Sequence, residues 1–255
     1  MLATAAYPAK ALVFFEIVSM SKFLVTADPE LKSSSILRRY MDLAKLLDLL
    51  HSKSLYLRRA DGFTDRLEGA LFRNLRESFD DEFKKGNIKT NADGFYRNAR
   101  EGNYVSCWTI GARDNMALWQ LYGGVKTSVV VTTTVEKLAT SAIAWNRKVH
   151  LYKVAYVDHA RPPNYVIGPP RDILKFKSDA YKFENEMRIV VPQLDRTELN
   201  PSGIKLQIND LNSLVRSVVV APEADQSFVE AVADLCKKYG LNAPVRRSAL
   251  AFVPT

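Results

Sequence analysis

The chain has 255 residues, of which 47% are apolar and 25% charged, with a net formal charge of +8. That composition supplies a sizeable core and excludes an intrinsically disordered chain. The moderate positive charge permits an acidic partner such as nucleic acid without requiring one. Two cysteines, Cys107 and Cys236, are too few for a disulfide framework and read as reduced thiols of a cytoplasmic protein. His51, His150 and His159 stand apart from the cysteines and from paired acids, so no zinc-type spacing exists and no metal is expected.

In chain order, the apolar run Ala11-Leu12-Val13-Phe14-Phe15 ends at Glu16. It is shorter than a signal-peptide core and far too short to cross a bilayer, so no membrane partner is expected. It is either an extension ahead of Met20 or a first strand. Ser33-Ser34-Ser35 precede Ile36, Leu37, Tyr40, Met41, Leu43, Leu46, Leu47 and Leu50, the stripe of an amphipathic helix behind a serine cap. Residues 54–59 alternate as a strand, with Leu55 and Leu57 on one face and Tyr56 and Arg58 on the other. Arg59 follows at the mouth of the leucine face. A turn-rich segment leads to helices over 70–83 and 92–100. The acids Asp61, Asp65 and Glu68 within it are better explained by a solvated turn and helix start than by a metal.

Residues 104–110 form a strand with Tyr104, Ser106, Trp108 and Ile110 on one face and Val105, Cys107 and Thr109 on the other. Asn115 caps a short helix through Tyr122, which Gly123-Gly124 terminates. A β-branched strand over 127–133, a helix over 135–145 and a strand over 148–157 follow. Further on come strands at 204–208 and 215–220, a helix over 225–239 stopped by Gly240, and a last strand over 244–249. Strands and helices mix without a βαβ rhythm, which predicts an α+β fold. Residues 1–53 are expected to be an N-terminal extension and helix, and 54–255 a single α+β domain.

The most informative stretch spans residues 177–192. As a strand it places Glu184, Glu186, Arg188 and Val190 on one face, backed by Phe183, Met187, Ile189 and Val191. As a helix, Ile173, Phe176, Ala180, Phe183 and Met187 form a stripe and the two glutamates part. The run Ile189-Val190-Val191 closed by Pro192 favours a helix ending near Tyr181 and a strand over 183–191. Two carboxylates and a guanidinium on one face are costly to bury without partners or a task. They are either a salt-bridged structural strand or a site. No Gly-x-Gly-x-x-Gly, Walker loop or Gly-x-Ser-x-Gly elbow occurs elsewhere.

The order Arg59, then Ser106-Cys107-Trp108-Thr109, then Glu184-x-Glu186 resembles the core of the ADP-ribosyltransferase superfamily, which cleaves the nicotinamide–ribose bond of NAD. The resemblance implies an ADP-ribosyltransferase-like split β-sheet with flanking helices and a helical N-terminal addition. It makes Glu186 the catalytic glutamate and Glu184 the residue that polarises the acceptor. NAD is then the substrate, contacted by Arg59, Ser106 and Tyr122, with Trp108 or Trp119 packing or stacking. The chemistry suits these residue types. A fixed carboxylate stabilises an oxocarbenium centre, and an arginine fork fits a pyrophosphate or ribose.

A second resemblance is to a widespread bacterial family of domains of unknown function. It is carried by Leu55-Tyr56-Leu57-Arg58-Arg59-Ala60-Asp61 with Phe63, Asp65 and Glu68-Gly69, and by Val105-Ser106-Cys107-Trp108-Thr109 with Asp114, Met116, Trp119 and Leu121-Tyr122. Lys177, Tyr181 and Glu184-x-Glu186-x-Arg188-Ile189 complete it. The family's Asp-Pro-Phe-Glu-Gly stands here as Asp65-Arg66-Leu67-Glu68-Gly69, without the proline. These resemblances imply a toxin, effector or phage-defence enzyme, cytoplasmic or secreted into a host cell, whose macromolecular acceptor is nucleic acid or protein. The alternative is a non-catalytic basic module that binds nucleic acid.

Overall fold

The computed structural model describes residues 24–63, 65, 70, 72–161, 168–194 and 200–251. The chain is a mixed α/β molecule around a large central sheet. In order, the strands and helices that open it are β1 (Val25–Ala27), β2 (Ile36–Asp42), α1 (Leu43–Ser52) and β3 (Ser54–Arg59). Next come α2 (Arg73–Lys84), α3 (Ala92–Glu101), β4 (Asn103–Ile110), α4 (Met116–Tyr122), β5 (Ser128–Thr134) and α5 (Val135–Ile143). The second half holds β6 (Val149–Lys153), β7 (Ala155–Val157), β8 (Phe176–Ser178), β9 (Glu186–Pro192) and β10 (Gly203–Gln207). The chain closes with α6 (Leu211–Leu214), β11 (Ser217–Val220), α7 (Gln226–Lys238) and β12 (Val245–Arg247). The run 11–15, Met20 and residues 66–69 lie outside the described residues.

The long path of the sheet runs β1-β6-β9-β4-β2-β5-β11-β12, and β10 joins through β3. Strand β4 is its hub. Along one side it pairs antiparallel with β9 from Asn103↔Pro192 to Thr109↔Glu186. Along the other it pairs with β3 at Tyr104 and Val105, and with β2 at Thr109 and Ile110. Between these two pairings β3 and β2 diverge, which opens a wedge beside residues 106–108.

The stripe from Ile36 to Leu50 is not one helix, as its periodicity predicts, but a strand followed by a helix. Residues 36–42 alternate as well as they spiral, and Leu37 and Met41 are buried against the sheet. The helix begins only where Asp42 accepts the backbone N–H of Lys45 at 2.8 Å. The segment expected as a helical addition therefore supplies a strand between β4 and β5.

The main core covers the face of the sheet that carries Leu55, Leu57, Trp108, Met187 and Ile189, with Leu46, Leu49 and Leu50 of α1 packed on it. The opposite face of β4, β9 and β6 has its own small cluster, where Ala99 of α3 and Ile173 and Leu174 of a 3-10 turn meet Val105, Tyr152 and Val190. Helix α4 covers the neighbouring part of the sheet through Trp119, edge-on to Tyr40 with centroids 5.1 Å apart.

Residues 170–192 also depart from the expected helix-then-strand. A 3-10 turn (Pro170–Lys175), β8, a second 3-10 turn (Asp179–Glu184) and β9 follow one another. Between the last two, Asn185 takes a left-handed conformation with φ 43°. Its backbone C=O accepts from Ile110 N at 2.7 Å, and its side-chain Nδ2 donates to Ile110 O at 2.6 Å. An L residue with a Cβ pays for that conformation unless its side chain bonds locally, as asparagine does. Asn185→Ala should lower unfolding free energy by about 1–2 kcal/mol in a urea titration, and Asn185→Gly should recover part of the loss.

Candidate active site

The register decides which side chains share a face. Thr109 of β4 lies opposite Glu186 of β9 and opposite Arg38 of β2, so Arg38, Thr109 and Glu186 form a row across three strands. Cys107 lies opposite Arg188, and Val105 opposite Arg58 of β3. This face looks into a cleft of about 400 Å³ at the wedge, with Tyr122 of α4, Lys177 and Tyr181 together at one end.

At its floor Glu186 is 4% exposed and Arg188 1%. The arginine holds the carboxylate in a two-point fork, Nε to Oε1 at 3.0 Å and the NH2 nitrogen to Oε2 at 3.0 Å. Its remaining NH1 nitrogen donates to the carbonyl of Leu174 at 2.7 Å. Lys177 Nζ lies 3.3 Å from Glu186 Oε2 and 2.5 Å from Glu184 Oε2. Tyr122 donates its hydroxyl to Glu184 Oε1 at 2.6 Å.

Burial alone would raise the pKa of Glu186. The charge and hydrogen bonds of Arg188, the charge of Lys177 and a hydrogen bond from the Cys107 thiol outweigh it and hold the carboxyl well below its ordinary value. Burial first, then the bond and charge of Glu184, push the Tyr122 phenol upward, so it stays protonated as a donor.

Cationic groups crowd the other wall. Arg38, 8% exposed, donates Nε to Gly111 O at 3.0 Å and one terminal nitrogen to Ala112 O. Its NH1 nitrogen is buried without a hydrogen-bond partner among the described residues. Arg39 donates to Tyr56 O at 3.0 Å and lies over the Trp108 ring. Arg58 and Lys45 line the same cleft.

Of the residues singled out in the sequence, Glu184, Glu186 and Tyr122 meet at one end of the cleft. The glutamates do so from different elements, because Glu184 closes a 3-10 turn and only Glu186 is on the strand. Arg59 is not with them. It lies opposite Tyr104, on the other face from Cys107, forked to Asp61 at 2.7 and 2.9 Å and bonded to Asn200 O. Its neighbour Arg58 and the unforeseen Arg38 occupy the cleft instead.

Ser106 and Trp108 border the cleft, but the serine hydroxyl accepts from Trp108 Nε1 at 3.2 Å on the buried side. Trp119 is fully buried, and its Nε1 donates to Asp114 at 3.2 Å, so it is a packing residue. Cys107 is half-buried and lines the cleft beside Glu186. Alternation alone separates Arg58 from Arg59 and Cys107 from Ser106. Which of the two faces carries the site follows only from the pairing of β4 with β9.

No protein-family model matches the chain, and no curated relative matches it. Among solved structures it is similar to DarT of Thermus sp. 2.9. The complex with carba-NAD+ is 10% identical, covering 86% of this chain and 98% of that one at a TM-score of 0.39. The complex with ADP-ribosylated ssDNA is 8% identical, covering 87% and 97% at 0.41. The complex with NAD+ is 9% identical, covering 87% and 98% at 0.40. Likeness at this distance assigns no role to any residue.

Removing Arg188 would take from the buried Glu186 carboxylate its two-point fork and its main counter-charge. Arg188→Met should therefore cost about 3–5 kcal/mol in urea unfolding. The lowered pKa of Glu186 also has a pH signature. Stability from this group is present above its ordinary value of 4.5 and is lost as pH falls below that toward the lowered folded-state value. Glu186→Gln should flatten the stability–pH curve across that acid range, measured by unfolding at a series of pH values.

Proposed function

We propose that the chain is a NAD-dependent ADP-ribosyltransferase-like enzyme that cleaves the nicotinamide–ribose bond and passes ADP-ribose to a macromolecular acceptor. The observation that carries this reading is Glu186, a buried carboxylate kept ionised by Arg188 and Lys177 on the floor of an open, cation-lined cleft. As the glycosidic bond breaks, its electron pair neutralises the nicotinamide ring and positive charge grows on the ribose. A preformed anion at that point lowers the barrier without reorganising. The guanidinium of Arg38, which lines the cleft, suits a pyrophosphate oxygen. Tyr122, 46% exposed, offers a ring face to the nicotinamide. The acceptor's O–H or N–H then bonds to the ribose carbon and its proton passes to Glu184.

A second reading rests on the same wall. Among the described residues of the cleft, Arg38, Arg39, Lys45, Arg58 and Lys177 face Asp65, Glu184 and Glu186, a balance that suits a nucleic-acid backbone without any chemistry.

Nicotinamide release separates the two. Glu186→Gln should lower it by roughly 10²–10³-fold, the scale of one lost preorganised contact, and leave NAD affinity nearly unchanged. Arg38→Met should weaken NAD binding by about 1.5–3 kcal/mol through a lost charge-assisted contact. Glu184→Gln should reduce transfer to an acceptor more than hydrolysis of NAD. A wild-type chain that neither binds NAD nor releases nicotinamide, yet binds nucleic acid with steep salt dependence, is the basic module instead.

A further inference from the structure

We propose that Lys177 is the positioning residue of the carboxylate pair, its one ammonium bridging Glu184 and Glu186 and turning both toward the same point of the cleft. The proposal rests on the reading of Glu186 as the charge-stabilising carboxylate. Lys177 does not belong to the main sheet. It lies in β8, paired with β7 in a two-stranded ribbon. Its registered partner there is Tyr156, whose hydroxyl accepts the backbone N–H of Glu186 at 2.8 Å. Two neighbouring residues of the ribbon thus grip the first residue of β9, one by its main chain and the other by its carboxylate.

Lys177 is 7% exposed, with Nζ 2.5 Å from Glu184 Oε2, 3.3 Å from Glu186 Oε2 and 4.8 Å from the Tyr181 ring centroid. The left-handed Asn185 between the glutamates makes this convergence possible, because an unbroken strand would space the two carboxylates along one edge.

The two glutamates differ in their other support. Glu186 has the fork of Arg188 and the thiol of Cys107, whereas Glu184 has the neutral hydroxyl of Tyr122. The titratable and charged groups facing the lysine are Glu184 and Tyr181 from the 3-10 turn and Glu186 and Arg188 from β9. Among the described residues Tyr122 of α4, Tyr156 of β7, Cys107 of β4 and Asp65 also border this part of the cleft or bond to its carboxylates. Arg188, the other cation of that group, is committed to Glu186. Taking away the lysine leaves Glu184 bonded to a hydroxyl beside a second buried carboxylate, and removes one of the charges that hold the Glu186 carboxyl below its ordinary value.

The test is a carbon-13 NMR titration of glutamate side-chain carboxyls in the full chain, assigned with Glu184→Gln and Glu186→Gln. In Lys177→Met the Glu186 carboxyl should hold its proton to a pH about 1–3 units higher than in the wild type. The acid limb of nicotinamide release should rise with it, and Lys177→Arg should return the wild-type titration. Superimposable carboxyl titrations in the wild type and Lys177→Met overturn the proposal. If Lys177→Met does not fold, Lys177→Gln, which keeps a neutral donor, carries the same comparison. A wild type that releases no nicotinamide defeats the catalytic reading, while the carboxyl titration still decides the role of Lys177.

Discussion

The ion cluster of Glu186, Arg188, Lys177 and Glu184 is the constraint around which the site is built. Each of the four is at least nine-tenths buried, so none draws full stabilisation from water, and each must be satisfied by its neighbours. Arg188 meets this demand with a two-point fork and a backbone carbonyl, Lys177 by bridging two carboxylates. A hydrophobic replacement of similar volume would cost less desolvation. A cluster of this kind is therefore weak as a device for stability and strong as a device for holding charge in one place.

The cluster depends in turn on the divergence of β2 and β3 along β4. A sheet continuous at that point would cover residues 106–108 and leave no wedge. Because β4 is paired with β3 at one end and β2 at the other, its middle faces an opening into which Arg39, Arg58 and Lys45 reach. The carboxylates lie on the β9 side of this opening and the arginines on the other. A ligand negative at one end and electron-deficient at the other meets complementary charge across it.

Much of the fold was legible because periodicity and capping act locally. Strand β3, helix α4 with its Asn115 cap and Gly124 at φ 87°, and helix α7 ending before Gly240 at φ 75° all follow from residues within a few positions of each other. Residues 36–50 were misread because alternation and a helical stripe coexist there, and only the place of β2 between β4 and β5 favours alternation. The stretch before β9 was misread for a different reason. Its apolar spacing suits a helix, but Phe176 is taken up by pairing with Ala155 in the ribbon, a contact with a segment outside any local window of sequence.

The sequence by itself determined that Glu186 and Arg188 share one face of their strand and that the residues of β4 alternate between two, since a period of two is a property of the extended backbone. It also determined that two glutamates close together would need cationic company if buried. The tertiary structure alone decided which face holds the site and which cations supply that company. Register between strands far apart in the chain put Arg38, Thr109 and Glu186 in one row, turned Arg59 and the Ser106 hydroxyl away, and set Lys177 between the glutamates. Pairing between distant segments is a property of the whole packed sheet, and no local pattern of side chains encodes it.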